Sequence, residues 1–477
     1  MTRSEGHHNR QIEDLFAGFG ERTAMITPDG QRVSFAGLNR TVRAFAARLR
    51  AEGVGPGTVV APFHENPAVF QALLYALVRV GASAAAVPSP DMAARIGLKI
   101  DLAISLPDRP SVAVKNLTFD QEWFAASGDD GIGPDGFLIH TSSGTTGAPK
   151  FYRVPLASIV SGFEWHERVY PCRDTDLLIT IPVFAGYGTF LGIQAQLGGG
   201  AILRPAASAR QTLEQLAPQQ ALEIRATPAV LADLIVAVRK GAPVPERLRA
   251  IMLGGSPLSK RLARQGEEVL DCKVFNNYGA AETAATAITR PATAAEEQGF
   301  VGTPFPWAEF RIENDDGSEA VAGSEGGVAV RVPADYWTVE ALVGESPIDE
   351  NGWFRAGDRG YLRTDDGALV ITGRENELIN SSGSKVAPIR YEEAALRLVP
   401  ATAAAAFGIP NDLGSEDVGL ALVADEQLDL KQLQTDLTAL VGTHLNFFAF
   451  QVDRIPVNQT GKVDRKALLQ QLAPTRD

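Results

Sequence analysis

The run Ile139-His140-Thr141-Ser142-Ser143-Gly144-Thr145-Thr146-Gly147-Ala148-Pro149-Lys150 constrains this chain more than any other stretch. Five hydroxyls and two glycines, closed by Pro-Lys, do not belong in an apolar core. Yet the apolar residues Phe137 to Ile139 lead straight into them. Those residues predict a short buried strand. The glycines let the backbone approach a ligand closely. Hydroxyls and neighbouring amides then form a concave array of donors suited to phosphate oxygens. Lys150 adds a point charge at the rim. A flexible surface loop would explain the glycines, but neither the strand leading in nor the Pro-Lys stop. The spacing also differs from the G-x-x-x-x-G-K-[ST] phosphate loop.

At 477 residues the chain exceeds what one core can fill, and about three domains or subdomains are expected. The net charge of −13 argues against nucleic acid or an anionic membrane as partner. A bound nucleotide must then be held by local positive charge. Two cysteines, Cys172 and Cys272, give no disulfide framework and no metal spacing. Met1 to Gln11 carry no apolar targeting segment. The most apolar stretch, Ala68 to Val87, is broken by Gln71, Arg79 and Gly81, so it reads as core helix and strand. A cytoplasmic protein is expected. The oligomeric state is open, a homodimer being one option.

Ile26 to Phe35 predicts a hairpin around Pro-Asp-Gly, with Ser34 capping a helix that carries Leu38, Val42, Phe45, Ala46 and Leu49. Val59 to Ala61 predicts a strand, Pro67 opens a helix that stops before Gly81, and Ala84 to Val87 predicts another strand. This alternation implies a parallel sheet with helices on its faces. After the hydroxyl loop come a helix (Leu156 to Tyr170), a strand (Leu177 to Ile181) and a Gly-rich turn, Phe184 to Gly188. Strands Ala250 to Leu253 and Val274 to Tyr278 end in Gly254-Gly255-Ser256 and Gly279, where open α/β sheets bind ligands. Gly302 to Val332 turn to short strands, closed by Ala368 to Gly373. Ala401 to Ala406 are strand or helix core. The fold class is α/β: a large domain over 1–373, with layered α/β subdomains and a small β-rich one, then a small mobile α+β domain over 374–477.

The hydroxyl loop resembles the phosphate loop of the adenylate-forming superfamily, which includes acyl- and aryl-CoA ligases, adenylation domains of peptide synthetases and firefly-type luciferases. Phe151 follows the lysine where that family usually has glycine. Four later motifs keep the family's order. They are Asn277-Tyr278-Gly279-Ala280-Ala281-Glu282, Trp353-Phe354-Arg355-Ala356-Gly357-Asp358, Gly373-Arg374-Glu375-Asn376, and Asn458-Gln459-Thr460-Gly461-Lys462. Each alone has a plain structural reading: a core tyrosine, an exposed turn aspartate, a solvated basic tail. Their order argues for more.

The resemblance implies an ATP-dependent, AMP-forming ligase for a small carboxylic acid, with Mg²⁺ and with CoA, or a carrier protein's phosphopantetheine, as acceptor. Ser142, Ser143, Gly144, Thr145, Thr146, Gly147 and Lys150 would hold phosphates. Ser256, Asn277, Tyr278 and Gly279 would bind the nucleotide, with Tyr278 stacked beside adenine; Asp358 would accept the ribose hydroxyls, and Arg374 would meet ribose or phosphate. Glu282 would reach Mg²⁺. Lys462, on a small domain that moves about Arg374–Asn376, would carry catalysis together with Glu282 and Thr145 of the large domain. Gly383 and Lys385 match the segment that lines the thiol's path in the family. Two further readings stay open: loading of a carrier protein or amide formation, and a nucleotide-binding protein weakened in catalysis by Ala281, which replaces the usual hydroxyl residue.

Phe184, Ala185, Tyr187, Gly254, Gly255 and Ala280 would line the acid pocket. The resemblance puts Ala185 where many ligases have His and where amino-acid enzymes have Asp. Without a carboxylate there, a flat aryl acid or a short aliphatic acid is expected, unless Glu164 or Asp335 supplies the charge.

Overall fold

The helix Pro67–Arg79 forms for local reasons. The Asn66 side chain accepts the amides of Ala68 at 2.8 Å and Val69 at 3.4 Å, and Pro67 occupies the first turn, where an amide is not needed. Every residue from Val69 to Arg79 is buried, so this helix is core on all sides. Ser34 likewise caps the helix Phe35–Ala51, accepting the Gly37 amide at 3.1 Å. The computed structural model describes residues 6–112, 114–142, 150–219, 221–256, 258–290, 299–381, 384–411, 415–424, 426–441, 447–458 and 462–472.

Two compact units divide the chain. The first comprises Met1–Ile224, Ala281–Ala284 and Val332–Asp349. It holds a seven-stranded sheet in the order Glu340–Ala341, Lys150–Pro155, Phe137–Ser142, Ser83–Ala85, Val59–Pro62, Leu102–Ser105, Asn116–Thr118. The five strands from Phe137–Ser142 onward run parallel, and the first two add antiparallel pairs at one edge. The same unit pairs Asp176–Ile179, Ile202–Leu203 and Thr23–Ile26 in parallel, with Arg32–Ser34 closing the expected hairpin.

The second unit comprises Arg225–Ala280, Ala285–Arg331 and Glu350–Asp477. Its parallel pair Leu248–Gly254 and Lys273–Ala280 is flanked by the helices Pro228–Arg239 and Lys260–Leu270. Antiparallel strands Phe300–Pro304, Glu309–Glu313, Gly326–Arg331, Phe354–Leu362 and Leu369–Arg374 form the β-rich part. Beyond Arg374, the strands Ala403–Pro410, Glu416–Val423 and Phe447–Gln451 pack with the helices Pro388–Leu398, Leu430–Val441 and Arg465–Leu472. This last part has its own core, with Ile379, Tyr391, Ala395, Leu420, Leu433 and Phe447 in one cluster. Of Ala401 to Ala406, Ala403 onward is strand, and Ala401 and Thr402 lead into it.

Three expectations need correction. The residues after the hydroxyl loop do not run directly to a helix: Lys150–Pro155 is a strand paired antiparallel with Phe137–Ser142. Phe151, Tyr152 and Val154 are all buried, so the strand shows no clean alternation to betray it. Phe184 to Gly188 is not a free turn, because Gly186 already begins the helix Gly186–Leu197. Asp358 lies inside the strand Phe354–Leu362, not after a turn; Gly357 before it takes φ 70° within that strand. Among the described residues no helix is long and apolar enough to cross a membrane.

Candidate active site

In the first unit the hairpin of Phe137–Ser142 and Lys150–Pro155 sets the mouth of the hydroxyl loop, with Ser142 opposite Lys150 in register. Ser143, Gly144, Thr145, Thr146 and Gly147 lie outside the described residues. So do Gly383, Gly461 and the side chains of Ser142, Asn376 and Lys385. Thr141 forms a parallel bridge with Ala185, which brings Phe184, Ala185 and Tyr187 beside the root of the loop. Ala185 is buried in an apolar cluster with Ile179, Ile181, Leu191 and Ile202, and Tyr187 packs against it.

Two buried polar residues near this corner escaped the sequence reading. Arg204 spends Nη1 on the carbonyls of Ile179 at 3.3 Å and Ile181 at 3.2 Å, fixing the segment that leads to Phe184. Burial lowers its pKa to about 10. His140 sits in the strand before the loop, 1% exposed, and neither ring nitrogen has a hydrogen-bond partner among the described residues. Burial lowers its pKa to about 3, so the imidazole is neutral. A histidine inside an apolar strand was the available signal.

Glu282 is also buried, at 7% exposure. Its neighbour Ala281 offers a backbone carbonyl to Trp337 Nε1 at 3.1 Å, which ties this turn to the segment around Trp337. Trp337 meets Phe190 edge-on, with ring centres 5.0 Å apart.

In the second unit Gly254 stands opposite Asn277 at the carboxyl ends of two parallel strands. Gly255 and Ser256 continue from one, and Tyr278, Gly279 and Ala280 from the other. The Tyr278 hydroxyl donates to Asp358 Oδ2 at 2.6 Å, and Arg374 Nε donates to Asp358 Oδ1 at 2.5 Å. Asp358 and Arg374 are cross-strand partners, which explains their contact. Asp358 is 3% exposed. Burial, reinforced by Asp358, pushes the Tyr278 phenol well above its usual range. For Arg374 burial works against the charge, and Asp358 more than offsets it, so the guanidinium is held above its usual value. The Tyr278 ring packs tilted beside Phe310, 6.3 Å between centres.

Lys462 is bonded to Asn458 through its main chain. Its amide donates to Asn458 Oδ1 at 3.1 Å, and the Asn458 amide donates to its carbonyl at 2.8 Å. The helix after it begins at Arg465, whose guanidinium holds Glu377 at 3.1 Å and Glu392 at 2.9 Å. Among the described residues no cluster of three or more His, Cys, Asp or Glu could hold a metal by itself. A single carboxylate such as Glu282 fits an ion that keeps waters and shares substrate phosphates.

This is the architecture of a nucleotide-dependent ligase, and the comparisons with known proteins agree. The model of the AMP-binding enzyme family matches residues 12–96 and 110–335, and the chain belongs to that family, within the adenylate-forming superfamily. It is 26% identical to an oxalate–CoA ligase of Arabidopsis thaliana, over 96% of this chain and 97% of that one. It is 25% identical to the fatty acid–[acyl-carrier-protein] ligase ScoC of Streptomyces coeruleorubidus, over 96% and 95%. The amide bond synthetase McbA from Marinactinospora thermotolerans shares the fold with a TM-score of 0.82 at 22% identity, over 98% of this chain and 100% of that one.

Proposed function

We propose that this chain is an ATP-dependent, AMP-forming ligase that activates a small carboxylic acid as its adenylate and passes the acyl group to a thiol, CoA first among the candidates. The observation that carries the reading is the family match over 12–96 and 110–335, with Tyr278 and Arg374 gathered on the buried carboxylate of Asp358. Joining a carboxylate to the α-phosphate of ATP brings two anions together, so charge must be neutralised and the reactants held in line. In this reading the 142–150 loop and Lys150 bind phosphates, Asp358 accepts the ribose hydroxyls, and Tyr278 flanks adenine. Glu282 would hold Mg²⁺, which supplies charge neutralisation on the phosphates when bound. Lys462 bridges the carboxylate and the α-phosphate. The 374–477 part moves about Arg374–Asn376 to bring it there and to withdraw it for thiol attack. The separate core of that part supports its moving as a body.

A second reading is transfer to a carrier protein or to an amine, supported by relatives named for those acceptors at similar identity. The test is acid-dependent pyrophosphate release from ATP, followed by a comparison of CoA, a phosphopantetheinyl carrier protein and a primary amine as acceptor. Release in the presence of an acid, with acyl-CoA as product, is expected. Absence of acid-dependent release across a broad acid panel would overturn the ligase reading.

A further inference from the structure

The helix Gly186–Leu197 starts without a side-chain cap. Ala185 stands at its N-cap position, with φ −81° and ψ 131°, and cannot accept a hydrogen bond. The first-turn amides of Gly186 and Gly188 have no acceptor within the helix. Packing demands both glycines. A Cβ on Gly188 would lie 2.2 Å from the Pro182 carbonyl oxygen, and one on Gly186 would lie 2.4 Å from His140 Cδ2 and 3.0 Å from Nε2. Helical Cα–Cβ bonds tilt toward the N-terminus, so the His140 ring sits at the open end of the helix. Phe190 holds that ring edge-on, 4.9 Å between centres.

A neutral imidazole carries one donor and one acceptor in either tautomer. His140 is almost wholly buried and both nitrogens lack partners among the described residues, so a donor is kept out of water with none of those residues to bond. Thr141 pairs with Ala185, and the phosphate loop begins one residue later. The uncapped helix end and the lone imidazole therefore lie at the foot of that loop.

We propose that the N-terminus of helix Gly186–Leu197, together with His140, is the seat of the acid substrate's carboxylate. The proposal rests on the adenylation reading above. A helix N-terminus attracts an anion through its free amides and partial positive charge. One carboxylate oxygen is held there, and the other attacks the α-phosphorus. The new bond joins carboxyl oxygen to phosphorus, the bond to the bridging oxygen of pyrophosphate breaks, and its electron pair leaves with pyrophosphate. A neutral donor orients the carboxylate without the deep ground-state stabilisation that a full cation would impose. His140 is thus a binding residue, and the seat serves any acid whatever its tail.

The test begins with wild-type pyrophosphate release using benzoate, cinnamate, octanoate and oxalate, and carries forward the acid with the highest kcat/KM. In His140→Phe the KM for that acid should rise by about tenfold or more, with the KM for ATP held within about twofold. His140→Gln keeps a donor and should stay within about threefold of wild type. An independent reading uses wild-type protein labelled in its histidine ring nitrogens, with α,β-methylene-ATP bound. The His140 signal, assigned against His140→Gln, should shift as the acid is added. Unchanged acid KM in folded His140→Phe, acid and ATP KM rising together, or a His140 signal indifferent to saturating acid would each overturn the seat. A wild type inactive with all four acids counts against the ligase reading itself and removes the ground for the seat.

Discussion

Arg374 reaches Asp358 across two paired strands, Nε to Oδ1 at 2.5 Å, while Tyr278 takes the other oxygen of the same carboxylate at 2.6 Å. Arg374 is the last residue of its strand, and the chain turns directly afterwards into the short helix Glu375–Glu377. One buried charge is therefore coupled both to the tyrosine expected beside adenine and to the point where the C-terminal part begins.

Asp358→Asn removes that charge but keeps the shape. Arg374 is then left without its counter-ion in a partly buried place, and a loss of about 2–4 kcal/mol in stability is expected. If Asp358 also receives the ribose, the KM for ATP should rise by about tenfold or more, roughly 1.4 kcal/mol per decade. Urea unfolding and pyrophosphate exchange measure the two effects. Lost stability with an unchanged KM for ATP would make Asp358 purely structural.

Lys462→Ala should slow adenylate formation by about two orders of magnitude, roughly 2.7 kcal/mol of barrier. Starting from purified acyl-adenylate, thioester formation should survive. Lys462 is held to Asn458 through its own amide and carbonyl, not through its ammonium side chain, so the substitution should leave those bonds standing. Equal losses in both half-reactions would show that the lysine supports the fold and not the first step.

Glu393 gives a pH dependence. Its carboxylate accepts the Gly299 amide at 3.3 Å, and burial pushes its pKa up to about 7, with Glu392 adding to the rise and Arg397 opposing it. From the ordinary value of 4.5 up to about 7 the native protein keeps a proton that the unfolded chain has released. Stability from this group is complete below that window and is lost as pH rises through it. Glu393→Gln should flatten the dependence and gain about 1–2 kcal/mol at pH 8, with little change at pH 4. Urea midpoints at the two pH values provide the measurement. A gain at pH 4 as large as that at pH 8 would disprove the titration.

Where local chemistry decides structure, the sequence was legible. Asn66 and Pro67 announce a helix start, Ser34 another, and Pro28-Asp29-Gly30 a hairpin turn, because each satisfies its own backbone nearby. The strand Lys150–Pro155 was hidden since its buried residues, Phe151, Tyr152 and Val154, fall on both faces and its partner is set by tertiary pairing. Gly186 and Gly188 read as a turn by composition, whereas their smallness serves His140 and the Pro182 carbonyl. Asp358 was recognisable as a candidate, but its cross-strand pairing with Arg374 depends on register, which no local pattern reports. His140 is marked in the sequence only as a histidine inside an apolar strand; that its ring lacks partners among the described residues depends on everything packed around it.

The substrate prediction follows from charge. An α-amino acid carries an ammonium, and a buried ammonium needs a carboxylate partner. Ala185 offers none, and its cluster with Ile179, Ile181, Leu191 and Ile202 is apolar. The two carboxylates that could have compensated are both at the surface. Glu164 is 47% exposed and paired with Arg173 at 2.8 Å, and Asp335 is exposed as well. Amine-free acids should therefore be activated in preference to proteinogenic amino acids by about 100-fold or more in kcat/KM, roughly 2.7 kcal/mol. Pyrophosphate release with benzoic, cinnamic and C4 to C10 fatty acids beside the amino acids measures the ratio. Ala185→Asp should lower the values for the amine-free acids, since it puts an unpaired charge where their apolar surface would lie. An amino acid that outperforms every amine-free acid would mean that the ammonium finds a carboxylate elsewhere and that Ala185 does not decide the class.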